Sequence, residues 1–318
     1  MSTWTETVVP AVLSALLGAG IEAPWTHQRA AIDLATAGEH VVLATGTASG
    51  KSLGYLVPVL GAASEGAAAA GGRGATAIYL APTKALAADQ LARIDALAVP
   101  GVRAATYDGD TPPDERRWIR DHANVVLTNP DLLHHSLLPG HERWSRFLRS
   151  LRYVVIDECH VYRGVFGSHV ASVIRRLRRV AARYGAFPTF VLASATVSDP
   201  ATHASRLVGM PVTAVTQDGS PRGALTFALW EPSTEDEQRR SATTEAAQIM
   251  AELVLRGVQV VAFARSRAGA ESLASSARRR IEQDDPALAA GVSAYRGGYL
   301  PVERRAIEAK LRDGSVRG

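Results

Sequence analysis

Residues 41–53, VVLATGTASGKSL, pass from three apolar residues through small ones to Gly50-Lys51-Ser52 and then into a helical pattern. Strand, small-residue loop and helix start, in that order, can wrap phosphate. Thr47, Ala48, Ser49 and Gly50 leave room for backbone N–H groups to close around phosphate oxygens, and the helix N-terminus adds partial positive charge. Lys51 can reach the terminal phosphates, and the Ser52 hydroxyl can ligate Mg²⁺. The usual eight-residue pattern has glycine where Thr45 stands, so an ordinary strand-to-helix turn stays open for this stretch alone. A second group follows the apolar residues 153–156: Asp157-Glu158-Cys159-His160. One carboxylate there can hold Mg²⁺ through its water shell, and its neighbour can orient and deprotonate a water. Lysine usage sharpens the reading, since only Lys51, Lys84 and Lys310 occur against 32 arginines. So strong a bias keeps lysine where a compact ammonium on a flexible stem does what a planar guanidinium cannot.

These groups need elements to aim them. Continuous apolar runs at 76–81, 102–107, 124–128, 153–156, 189–193 and 212–215 read as parallel strands covered on both faces, with helical stretches between them. That alternation predicts a doubly wound α/β domain over residues 1–222, which binds ligands at the carboxyl ends of its strands. Strand 76–81 leads to Thr83 and Lys84, strand 124–128 to Thr128 and Asn129, and strand 189–193 to Ser194 and Thr196. Thr83, Lys84, Thr128 and Asn129 would make a row of phosphate contacts apart from the first site. Helix capping would use Thr83 and Asn129 equally well. Gln28 lies 23 residues before Lys51, near the start of a helix that follows an opening helix over 5–17. Its amide can donate and accept at once, which suits the edge of adenine, although a lone glutamine is commonly polar surface.

The tract 61–74, GAASEGAAAAGGRG, reads as a flexible surface loop. A polar linker spans 223–244, after which helices over 244–256, 268–282 and 302–312 and strands over 259–264 and 292–295 begin a second α/β unit that stops at residue 318. Hydrophobic content of 47% beside 21% charged residues suits a chain with a sizeable core, and the net charge of +4 permits a polyanion partner. The single Cys159 excludes an internal disulfide or a cysteine metal cluster. No run is long enough to span a membrane and no basic residue precedes the apolar stretch 8–21, so a cytoplasmic protein is expected. Arginine clusters, as at 175–183, and the pair His134-His135 read mainly as solvated surface.

In order, residues 25–28, TGTASGKS (45–52), PTKALAADQ (82–90), YDGDT (107–111), TNPDLL (128–133), DECH (157–160), SAT (194–196), VAFARSR (261–267) and YRGGYLPVERR (295–305) resemble the ordered motifs of superfamily 2 DExH helicases. Their wording is similar to the bacterial SftH/MrfA-type clade of 3′-to-5′ DNA helicases. The resemblance implies a RecA-like phosphate-loop domain followed by the first half of a second RecA-like domain, over 245–318. It implies ATP as the bound nucleotide, with adenine contact by Gln28 and phosphate contact by Lys51 and the loop 47–52. It further implies Mg²⁺ held by Ser52 and Asp157, Glu158 as the base, and coupling through His160, Ser194 and Thr196. Single-stranded DNA would be tracked by Thr83, Lys84, Thr128 and Asn129, and by Arg265 and Arg296 from the second unit; RNA is not excluded, and a monomer is expected. Thr45 and Ala48 depart from the commoner helicase loop, and the chain stops before the family's last two motifs, which carry the arginine fingers. A piece of a longer helicase with slow turnover is therefore expected. A nucleotide- and nucleic-acid-binding module without turnover, and a small-molecule kinase sharing the same loop, are the competing readings.

Overall fold

Val, Ile and Leu runs without alternation have no polar face to turn to water, so their strands must be covered on both sides. The computed structural model, which describes residues 2–67, 72–195, 197–231 and 240–318, shows how this is done. Its strands are β1 (Val41–Ala44), β2 (Thr76–Leu80), β3 (Ala104–Thr106), β4 (Val125–Thr128), β5 (Leu151–Ile156), β6 (Thr189–Ser194) and β7 (Thr213–Val215). They form one seven-stranded sheet in the order β3-β4-β2-β5-β6-β1-β7, and every pairing is parallel. The helices of this unit are α1 (Pro10–Gly18), α2 (Thr26–Thr36), α3 (Ser52–Ala67), α4 (Lys84–Leu97), α5 (Pro113–His122), α6 (Pro130–Leu132), α7 (Ser145–Arg149), α8 (Gly164–Arg183) and α9 (Pro200–Val208).

Successive strand residues face opposite layers. Val42, Ile78, Leu80, Val126, Val154 and Leu192 join one buried cluster with Ile119, Phe147, Ile174 and Leu207 from α5, α7, α8 and α9. Val41, Leu43, Tyr79, Val125, Val155 and Val191 join the other with Leu16, Ile32, Leu60 and Ile94 from α1 to α4. This is the doubly wound, RecA-like layout expected from the sequence. The order also places β6 between β1 and β5, so the loops leaving these three strands share one end of the sheet.

Two expected boundaries shift. The opening helix begins at Pro10 rather than residue 5, because proline lacks an N–H and fits the first helical turn. Part of the tract read as a loop from residue 61 is helical: α3 runs to Ala67 with Ala62, Ala63 and Ser64 buried, since alanine is a strong helix former and its methyl groups pack beneath. Residues 68–71 lie outside the described residues.

Contacts divide the chain into Met1–Gly223 and Ala224–Gly318. Residues 232–239, the middle of the stretch read as linker, lie outside the described residues. The second unit has α10 (Ala242–Leu255), α11 (Arg267–Glu282), α12 (Pro286–Ala289) and α13 (Pro301–Arg312). Ser241 caps α10 by accepting from Thr244 N at 3.1 Å, which starts that helix inside the expected linker. A small core of Ala247, Met250, Val254, Leu273, Ala277 and Ile281 joins α10 to α11. The strands expected at 259–264 and 292–295 are not formed. Val260 N donates to Arg317 O at 2.7 Å and Ser293 N to Gly318 O at 2.8 Å, single bonds where a ladder requires a repeating series. Among the described residues no helix is long and apolar enough to cross a membrane.

Candidate functional site

The four residues of β1 are buried, and the chain leaves them through residues 45–51 to enter α3 at Ser52. Two positive backbone angles close this loop, Ala48 at φ 60° and Gly50 at φ 75°. Glycine adopts the Gly50 angle without strain, and a Cβ there would lie 2.6 Å from Gln28 Nε2, so the glutamine amide would have to shift. Thr45, which replaces the expected glycine, bonds across the loop to Ser49 Oγ at 2.7 Å. Lys51 Nζ is seated inside its own loop, donating to Gly46 O at 2.7 Å and Thr45 O at 3.1 Å. Burial lowers its pKa from the usual lysine range, while the charges of Glu158, Asp157 and Asp218 oppose the shift. Gln28 spends both ends of its amide on the protein. Its Oε1 accepts from Trp25 N at 2.8 Å and its Nε2 donates to Gly50 O at 2.9 Å. These bonds tie α2 to the loop and leave the amide its second Nε2 hydrogen and its second Oε1 lone pair.

Asp157 follows β5 and is buried. Its Oδ2 accepts from the hydroxyls of Tyr79 and, at 3.2 Å, Tyr55, and its Oδ1 accepts from Glu158 N at 2.9 Å. Burial, reinforced by the negative charge of Asp157, pushes both phenols far up, so they remain donors. The Tyr55 hydroxyl also lies 3.3 Å from Ser52 Oγ, so carboxylate and hydroxyl meet across one phenol oxygen. Gln90 Nε2 donates to Ser52 Oγ at 3.1 Å and to Tyr55 Oη at 2.9 Å, and Arg93 Nη1 reaches Ser52 Oγ at 3.3 Å. Gln90 Oε1 is buried here with no partner. The possible metal ligands at this point, Ser52 Oγ and the Asp157 carboxylate, are oxygens, which suits a hard divalent cation that keeps most of its water. Among the described residues there is no group of three or more His, Cys, Asp or Glu able to hold a metal.

Glu158 has left-handed backbone, φ 48°, an uncommon conformation for a non-glycine residue. His160 Nδ1 lies 3.2 Å from Glu158 Oε2 and accepts from Ala195 N at 3.3 Å, bridging the loops after β5 and β6. Cys159 is buried, and burial pushes its thiol up to about 12. Ser194 is fully buried, and its hydroxyl donates to Ala195 O at 2.8 Å within its own loop. Thr196 lies outside the described residues.

Along the other half of the sheet's carboxyl edge, Thr83 and Asn129 cap helices, accepting from Leu86 N at 3.3 Å and Leu132 N at 2.8 Å. Lys84 is exposed and paired with Asp110 at 2.5 Å and Asp108 at 3.8 Å. Thr128 Oγ1 is buried without a partner. In the second unit Arg296 donates to Glu271 at 2.7 Å and stacks 4.5 Å over Tyr299, while Arg265 is exposed. Tyr55, Tyr79, Gln90 and His27 were not singled out by the sequence reading. Of these, Gln90 closes the segment 82–90 and Tyr55 stands three residues beyond Ser52, spacings that could have flagged both.

The model of the DEAD/DEAH box helicase family matches residues 25–204. The chain is 40% identical to the uncharacterised ATP-dependent helicase YprA of Bacillus subtilis over 98% of its own length and 42% of that protein's. It is 38% identical to the ATP-dependent helicase HRQ1 of Saccharomyces cerevisiae over 92% of its length and 28% of that protein's. A crystal structure of the DUF1998 helicase MrfA bound to DNA and AMPPNP superposes with a TM-score of 0.92 at 40% identity, covering all of this chain and 44% of that one. The chain thus spans less than half the length of each of these relatives.

Proposed function

The chain belongs to the DEAD/DEAH box helicase family, and from that premise we propose that it is the ATP-binding and ATP-hydrolysing portion of a DNA helicase or translocase. The observation that carries the reading is the meeting of Ser52 and Asp157 across the Tyr55 hydroxyl, with Lys51 in the adjoining loop and Glu158 next to the aspartate. To take a nucleotide, Lys51 exchanges the Gly46 and Thr45 carbonyls for β- and γ-phosphate oxygens. The oxygen donors of Ser52 and Asp157 fit Mg²⁺, and the orphan Gln90 Oε1 can accept from a water of its shell. When bound, Mg²⁺ neutralises charge that develops on the phosphates. Tyr55 and Tyr79 fix the orientation of Asp157, Glu158 accepts the proton of the attacking water, and His160, whose Nδ1 accepts from Ala195 N, ties the loop that carries Glu158 to the loop after β6.

Thr83, Lys84, Thr128 and Asn129 stand at the carboxyl ends of the adjacent strands β2 and β4 and would follow the phosphates of a single strand. Arg265 and Arg296 would add contacts from the second unit. In this role Lys84 must leave Asp110 for a DNA phosphate. Movement 3′-to-5′ is proposed on the family resemblance. Steady-state ATP hydrolysis by this chain, with and without single-stranded DNA, tests the reading. Mg²⁺-dependent hydrolysis that DNA changes supports it, and failure to bind ATP at millimolar concentration overturns it.

A further inference from the structure

After β7 the final stretch of the first unit folds back onto the phosphate loop. Three contacts pin it. Gly219 N donates to His27 Nδ1 at 3.2 Å, while the other ring nitrogen, Nε2, lies 3.0 Å from Ser49 O. A Cβ on Gly219 would lie 2.0 Å from Thr26 Oγ1, so the segment sits directly on the start of α2. A Cβ on Gly46 would lie 2.6 Å from Arg222 Nη2 and 3.3 Å from Asp218 Oδ2, so the guanidinium stands against the loop itself.

His27 is buried, and burial lowers its pKa against the opposing pull of Ser49 O and Asp218. The neutral tautomer with hydrogen on Nε2 satisfies both partners: Nε2 donates to the Ser49 carbonyl and Nδ1 accepts from Gly219. Asp218 is nearly buried. Burial alone would raise its pKa, yet hydrogen bonds from Ser220 and Arg222 outweigh that and hold it below the usual carboxylate range. The Asp218 carboxylate takes Arg222 Nη2 at 2.5 Å. The rest of the guanidinium stays open, since the Arg222 side chain is 65% exposed.

We propose that Arg222 is a further cation of the nucleotide site, contacting the terminal phosphates of the bound triphosphate, and that residues 218–222, pinned by His27, hold it in place. The inference rests on the nucleotide reading above. The lysine of a phosphate loop reaches the β- and γ-phosphates. Lys51 Nζ lies on Gly46 O, so Gly46 marks the terminal-phosphate end of the loop, and it is the residue Arg222 stands against. Asp218 takes one nitrogen and so preorganises the fork, leaving donors for phosphate oxygens.

The test compares affinities for a non-hydrolysable ATP analogue and for ADP, with Mg²⁺, by calorimetry on the wild-type chain, Arg222→Ala and Arg222→Lys. Arg222→Ala should weaken the analogue about tenfold and ADP less than about twofold, the loss of one charge-assisted contact to the last phosphate. Arg222→Lys, which keeps the charge without the fork, should fall between. Equal weakening of both nucleotides would mean that the segment only shapes the loop, and would overturn the proposal, as would no weakening at all. Either result leaves the nucleotide reading standing. If the wild-type chain binds neither nucleotide, both fall together.

Discussion

The two halves of the sheet's carboxyl edge are built on opposite principles. Beyond β1, β5 and β6 the polar side chains are buried and interlocked: Gln28 on Gly50, His27 on Ser49, two tyrosines on Asp157, and Gln90 on Ser52. Beyond β2 and β4, Thr83 and Asn129 cap helices, the Thr128 hydroxyl is buried without a partner, and Lys84 lies in solvent on two aspartates it can leave. The first half is fixed before any ligand arrives, which is what stabilising charge at a reacting centre demands. The second is suited to weak, exchangeable contact with a polyanion, where each charge adds a little and salt removes it. Within one domain, then, rigidity is concentrated where the chemistry is proposed, and loose charge pairing where a chain would slide.

Three substitutions sharpen this contrast. The largest effect is expected from Glu158→Gln, which should lower hydrolysis by about 10²–10⁴-fold while leaving ATP affinity near the wild-type value, because only the base is lost. Parallel measurement of turnover and of ATP binding checks it, and loss of both together would deny Glu158 that role. Next is Tyr79→Phe. Removing one donor from the buried Asp157 carboxylate should cost about 1–3 kcal/mol in chemical denaturation. It should also raise the Mg²⁺ concentration needed for half-maximal turnover by about tenfold, as loss of supporting partners does at metal sites. A Mg²⁺ requirement unchanged in the folded variant would mean that Tyr79 only packs. The smallest effect belongs to the exposed half. Lys84→Ala should reduce the slope of log affinity against log salt for single-stranded DNA by about 0.7, one phosphate's share, with nucleotide binding untouched. An unaltered slope would confine this half of the edge to helix capping.

How far the sequence could be read follows the same division. The sheet was legible because strands covered on both faces are continuous apolar runs, and the phosphate loop because glycine and lysine are fixed there by backbone angle and reach. The same kind of run at 259–264 did not become a strand. A strand exists only through neighbours that supply its ladder, and Phe263 is left 94% exposed. Tyr79 read as core because it lies within an apolar run. Its hydroxyl acquires a purpose only once β2 pairs with β5, placing Tyr79 opposite Val155 and two residues short of Asp157. His27 and Asp218 are far apart in sequence and carry no motif spacing, so nothing short of the folded chain brings them together.

The central claim is that nucleotide binds in the loop between β1 and α3, through Lys51. Titration of ATP–Mg²⁺ into the wild-type chain and into Lys51→Ala, alongside thermal melting of both, tests it most directly. The loop's shape is set by Gln28, Thr45 and Ser49, so the variant should melt like the wild type and lose ATP affinity by about 100-fold, as expected when a charge-assisted phosphate contact is removed. Undiminished affinity in the folded variant would place the nucleotide elsewhere and contradict the account.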